Sequence, residues 1–161
     1  MSSTAVASEK RPHSFCLLDQ RTFECEWETV RTIAAHKNHN KIEIFYFLAS
    51  GWLNRSISAT SRNQHLIEKW WGRSDWMKLR DTKAWDRLQL IVARFKTELG
   101  YKHAYAWPIY SRARGGRVLY HMIHATDHDE APKIMHRAYR NAVSDREELK
   151  RLQRDLSELW A

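Results

Sequence analysis

The chain has 161 residues, a 43 % hydrophobic fraction and a formal net charge of +8, which bounds it to one domain with a core of its own. The basic balance favours anionic partners, nucleic acid first. No apolar run reaches roughly eighteen residues and no signal peptide is apparent, so the chain is expected to be cytoplasmic, free of the membrane, with Cys16 and Cys25 reduced; those two cysteines lack zinc-type spacing.

Residues 1–13 are small, polar and charged, the composition of a disordered tail. Ser14 to Leu18 is a short apolar run ending at Asp19 and reads as a buried strand. Trp27, Val30, Ile33 and Ala34 then recur at helical spacing, and the helix should stop in the polar run from His36 to Asn40. Ile42 to Leu48 is a second buried strand, with Gly51 expected to turn the chain after it. Strand, helix and strand joined by tight polar links predict a βαβ unit and a parallel sheet.

The middle of the chain is helical. Leu53 to Ala59 and His65 to Trp71 are short helices, the second ending before Gly72. Asp81 is placed to cap a long helix carrying Trp85, Leu88, Val92, Phe95 and Leu99 on one stripe, and Gly100 occupies the C-terminal cap position.

Two aromatic-rich runs follow, flanking Arg114-Gly115-Gly116-Arg117, and read as a β-hairpin. Tyr101, His103, Tyr105 and Trp107 share one face of its first strand. On the second strand Leu119, His121 and Ile123 oppose Tyr120, Met122 and His124. Apolar bulk on both faces predicts that both are covered. Asp127 or Asp129 could cap a helix over about 129–142, which tolerates Pro132 only in its first turn. Ser144 and Glu147 form a capping box ahead of a stripe of Leu149, Leu152, Leu156 and Leu159 on a last helix. The domain plan is therefore a tail over 1–13, an α/β unit over 14–143 and a C-terminal helix over 144–161. That last helix packs either within the chain or on a partner.

A parallel sheet finishing in a hairpin has the form of the carboxyl half of a Rossmann-like, class I methyltransferase-like sheet: about four strands, the last inserted antiparallel, flanked by helices. Several short motifs resemble the three-Cys-motif partner proteins. These are the Asp19-ending strand with Trp27-Glu28-Thr29, the strand leading to Asn54 and Arg55, and Leu99-Gly100-Tyr101. Leu119-Tyr120, Ala125-Thr126-Asp127-His128 and Ile134-Met135 follow, so that the series runs in one order from about Phe15 to Val143. The resemblance implies a methyltransferase-like fold and an association with mobile-element or defence-type gene neighbourhoods. It makes Trp27, Asn54, Arg55, Tyr120, Thr126, Asp127 and His128 the family-motif residues. Two departures accompany it. Relatives of this kind carry an earlier half with the Gly-rich first loop, and they have Pro where this chain has Gln20.

Asp19, at the carboxyl end of a strand, is the candidate catalytic residue, with a loop or helix cap as the plain alternative. A nucleotide-type cofactor needs a Gly-rich turn between strand and helix, and none of the five glycines forms G-x-G-x-x-G. No cofactor is expected for the isolated chain; S-adenosylmethionine enters only if a second chain completes the fold. His121 and His124, three apart on a strand, point to opposite faces, and no metal is expected. For nucleic acid the candidates are Arg112, Arg114 and Arg117 at the hairpin tip and Lys69 and Arg73 in the middle segment, interleaved with Trp70, Trp71, Trp76 and Trp85. Those indoles serve either as stacking surfaces or as core. The expectation for function is a truncated, non-catalytic methyltransferase-like accessory module binding a protein partner or nucleic acid; the alternative is one half of a two-chain S-adenosylmethionine-dependent methyltransferase acting on nucleic acid. Calorimetric titration of the purified chain with S-adenosylmethionine should give no saturable heat, and micromolar binding would overturn the argument from the glycines.

Overall fold

The computed structural model describes residues 14–59, 64–111 and 116–143. The expected tail over 1–13, the helix over 144–161, and Arg112 and Arg114 lie outside the described residues. Among the described residues four strands form one mixed sheet: β1 (Phe15–Asp19), β2 (Glu43–Leu48), β3 (His103–Tyr110) and β4 (Val118–Thr126), in the order β1-β2-β4-β3. β1 and β2 are parallel, with Leu17 opposite Phe45. β4 runs antiparallel to both of its neighbours, so β3 points the same way as β1 and β2. The helices among the described residues are α1 (Trp27–Ala35), α2 (Ser50–Ala59), α3 (Gln64–Trp71), α4 (Lys78–Asp81), α5 (Ala84–Thr97) and α6 (Ala131–Ala142), with a 3-10 turn over Ser74–Met77 leading into α4.

Strand alternation divides the sheet into two unlike faces. Ile44, Tyr46 and Leu48 of β2, Ala104 and Ala106 of β3, and Ile123 and Ala125 of β4 point into the main core, against Val30, Ile67, Ile91 and Phe95 of the helices. On the other face Trp107, Tyr105 and Met122 pack under Met135 and Tyr139 of α6. The Tyr139 hydroxyl donates to the Pro108 carbonyl and pins α6 to β3. Both faces of the hairpin are thus covered, as its apolar bulk requires.

Three sequence expectations are corrected. β1 is not buried: Phe15 is 74 % and Leu17 56 % exposed, because β1 ends the sheet among the described residues and α6 lies over the β3 and β4 side. Gly51 does not turn the chain; it lies in the first turn of α2, where a Cβ would come within 3.2 Å of the Val118 carbonyl oxygen, so its bareness lets α2 approach β4. Asp81 ends α4 and does not cap α5, whose N-cap is Lys83. The break at Thr82 is stabilised by buried Arg87, which donates to the carbonyls of Leu79 (2.8 Å) and Thr82 (2.8 Å) and to Asn54 Oδ1 (2.6 Å). Gly100 does close α5: at φ +67° its N–H reaches the Lys96 carbonyl.

The helical layer is tied at Arg94, which is only 5 % exposed. Its guanidinium lies 4.0 Å from the rings of both Trp27 and Trp71, forks onto Glu98 at 2.6 and 2.8 Å, and donates to the Trp71 carbonyl at 2.5 Å. Trp27 Nε1 donates to the same carboxylate at 3.1 Å, and Arg73 reaches it from the rim at 2.8 Å. Burial alone would raise the Glu98 carboxyl; its arginine and indole partners overcome that and hold it below the ordinary range. Arg94→Ala should lower unfolding stability by about 3–5 kcal/mol, since it strands a part-buried carboxylate and opens a slot between two indoles. Urea denaturation measures this, and a loss under 1 kcal/mol would show that the pair is dispensable.

Candidate functional site

The carboxyl ends of the parallel strands are where open α/β sheets collect ligands. Asp19 stands there, exposed, at the end of β1. The next residue, Gln20, turns inward: it is buried, and its Oε1 accepts from the Cys25 N–H at 3.4 Å. The loop to α1 is therefore folded back on an amide where the resemblance expects proline.

Beside this end, Ser50 begins α2 and its Oγ shares a 2.8 Å hydrogen bond with His121 Nδ1 on β4. Burial pushes the His121 imidazole down to about 4, so it is neutral in the fold. A hydroxyl beside a neutral imidazole is a proton-transfer pair in kind, but Asp19 does not join it. The register sets Asp19 level with Phe47 and Phe47 level with Met122, side chains on one face, whereas His121 points to the other. The structure brings Ser50 and His121 together and keeps Asp19 apart.

His124 faces away from His121, as the spacing predicts. It is wholly buried, stacks on Phe45 (4.6 Å between centroids, 10° between planes) and meets Glu43 Oε2 through Nε2 at 3.0 Å. Burial lowers its proton affinity more than the Glu43 carboxylate raises it. Among the described residues no group of three His, Cys, Asp or Glu side chains is placed to hold a metal ion.

Of the residues that the three-Cys-motif partner resemblance singles out, Trp27, Asn54, Thr126, Asp127 and His128 tie elements or turns together. Trp27 belongs to the Arg94 cluster, and Asn54 receives Arg87. Arg55 is exposed on α2, and Tyr120 sits half-buried opposite Ile109 of β3. Thr126, Asp127 and His128 knot the link from β4 to α6: Thr126 Oγ1 accepts from the His128 N–H (3.0 Å), Asp127 from the Lys102 N–H (2.9 Å), and His128 Nδ1 from the Glu130 N–H (3.2 Å). Asp127 thus holds the start of β3, and α6 begins at Ala131 without a side-chain cap.

Of the candidate nucleic-acid residues, Lys69 and Arg73 come together in the wall of one depression, interspersed with Glu26, Glu28 and Glu68. Lys69 pairs with Glu26 at 3.2 Å and Arg73 with Glu98 at 2.8 Å. Trp70, Trp71 and Trp76 are core, so their rings offer no stacking surface. Arg117 is exposed beside the hairpin tip, its carbonyl accepting from the Ser111 N–H at 3.1 Å. The residues that the sequence reading missed, Arg94, Glu98, Ser50 and Glu43, are all polar groups paired across elements. Only the four-residue step from Arg94 to Glu98 on one helix was legible beforehand.

The pH dependence of stability follows from His121. Its folded pKa, about 4, lies below the ordinary 6.5, so its neutral burial contributes stability that is complete above about pH 6.5 and is lost as pH falls toward 4. The thermal midpoint of the wild type should drop further between pH 7 and pH 4.5 than that of His121→Gln; parallel drops in differential scanning calorimetry would remove His121 as the cause.

Compared with protein-family models, with curated proteins and with solved structures, the chain matches none of them.

Proposed function

We propose that this chain is a methyltransferase-like accessory module, of the kind the three-Cys-motif partner resemblance implies, that engages a protein partner along β1. One observation carries the docking: β1 is an open sheet edge among the described residues, with Phe15 and Leu17 largely exposed. Natural sheets protect such edges with charge, proline or a bulge, and β1 contains no proline and one charged side chain, Asp19 at its carboxyl end. The strand order supports the methyltransferase-like reading, because an antiparallel β4 set between parallel β2 and β3 is the arrangement expected for the carboxyl half of such a sheet.

A second reading has its own observation. Asp19 is exposed at the carboxyl end of β1, so a partner that extends the sheet there would meet it. In that case the partner supplies the Gly-rich turn and any S-adenosylmethionine, and this chain supplies Asp19. The glycines here support that division. Gly51, between β2 and the body of α2, has its bare side taken by β4, and Gly72 has its own taken by Trp27. Nucleic acid is a lesser reading, resting on Arg117 and on arginines outside the described residues.

The open edge is testable with the chain alone, since a second copy is a strand-bearing partner. Light scattering after size exclusion should show dimers or larger species at tens of micromolar, and Leu17→Lys should return the chain to monomer. A wild-type chain that stays monomeric over that range would defeat docking along β1.

A further inference from the structure

At the opposite end of the sheet, where β2 begins and β4 ends, two depressions adjoin and share Glu43 and His128 in their walls. One is apolar, formed by Phe45, Ala131, Ile134 and Met135, with the His124 ring in its floor. The other is polar and carries Asp127 and Asp129. The carboxylates there are not equally committed. Asp129 is engaged by Lys102 at 2.5 Å and His103 at 2.8 Å, and Asp127 accepts the Lys102 N–H. Lys41 faces the same space but spends its ammonium on the Leu99 and Gly100 carbonyls at 2.7 and 2.8 Å. Glu43 stands at the junction of the two depressions, facing the apolar one, with no lysine or arginine paired to it among the described residues; its side-chain partner is His124. His124 is wholly buried and its Nδ1 has no partner, so the imidazole is held neutral and leaves the Glu43 charge unmatched.

An unmatched carboxylate in a chain of net charge +8 is a local reversal of sign, and it adjoins an apolar shelf on which Ile134 is 59 % exposed. We infer that this cleft binds an organic cation with an apolar body, its ammonium or guanidinium on Glu43 and its hydrocarbon along Phe45, Ile134 and Met135. The charge-assisted hydrogen bond fixes the head, and the shelf supplies burial. A free amine and the basic side chain of a peptide present the same chemistry. The lining belongs to β2, β4 and α6, and it adjoins the start of β1, where Phe15 is level with Glu43 and its ring meets Phe45 edge-on at 6.1 Å.

The test is a titration of the ¹⁵N-labelled chain with 2-phenylethylammonium, with N-acetyl-lysine amide inside a capped tripeptide, and with 3-phenylpropionate. Saturable shifts at the amides of Glu43, His124 and Ile134 are expected with at least one cation and not with the anion. A tighter fit for the amine or for the peptide identifies the source. Glu43→Gln, which keeps a hydrogen-bond acceptor for His124, should weaken binding at least tenfold. Ile134→Lys, a change at an exposed position, should abolish it by placing a competing cation on the shelf. Equal response to the anion, no saturable shift with either cation, or unchanged affinity in folded Glu43→Gln would each overturn the assignment.

Discussion

The fold depends on one buried guanidinium. Removing a charged arginine from water costs several kcal/mol unless its donors find partners, and Arg94 finds a carboxylate at the end of its own helix and a carbonyl at the end of α3. Glu98 takes the fork, the Trp71 carbonyl takes the remaining edge, and the two flat faces are covered by the indoles of Trp27 and Trp71. Planarity is what permits this; a lysine could neither fork onto the carboxylate nor stack between rings. Trp27 opens α1, Trp71 ends α3 and Glu98 follows α5, so the cluster fixes the spacing of the layer that covers one whole face of the sheet. Gly72 is drawn in by the same packing. At φ +72° it passes so near Trp27 that an added Cβ would lie 2.7 Å away.

That layer determines how the net charge should be understood. Arg94 and Arg87 are internal, and Lys69, Arg73 and Lys102 are each matched to a carboxylate. Basic residues that look like a surface stripe in the sequence are partly structural, and the tryptophans among them are filling space. Exposed ion pairs of this sort contribute little to stability, but they do cancel the local field that would draw in a phosphate backbone.

Element types and order were legible because hydrophobic period reports them: the alternation of two through Ile44, Tyr46 and Leu48, and the steps of three and four through Leu88, Val92 and Phe95. Gly100 and Pro132 stood where chain geometry demands them. The misses have a common cause. Burial of β1, the place of Gly51 and the start of α5 all depend on what another element does at a distance: where α6 lies, how near α2 comes to β4, and whether Arg87 supplies donors at Thr82. The candidate site was the least legible part. Asp19 was found by its place at a strand end, whereas Ser50 with His121 and Glu43 with His124 are contacts between residues 71 and 81 positions apart.

The two histidines of β4 show how little sequence distance separates different chemistries in a sheet. Three positions apart, they fall on opposite faces: His121 meets Ser50 toward the carboxyl ends of the parallel strands, and His124 meets Glu43 toward the amino ends. Burial keeps both neutral, but with different consequences. At His121 the partner is a hydroxyl that carries no charge, so the pair is electrically silent and serves the fold. At His124 the partner is a carboxylate, and a neutral imidazole cannot discharge it. The negative charge therefore stays at the rim, next to the part of the sheet face that α6 does not cover among the described residues. Among the described residues, the exposure of β1 and the unpaired Glu43 go together, because α6 covers this face over β3 and β4. A surface built this way is suited to holding something against it, and the chemistry it presents is recognition of apolar bulk and positive charge.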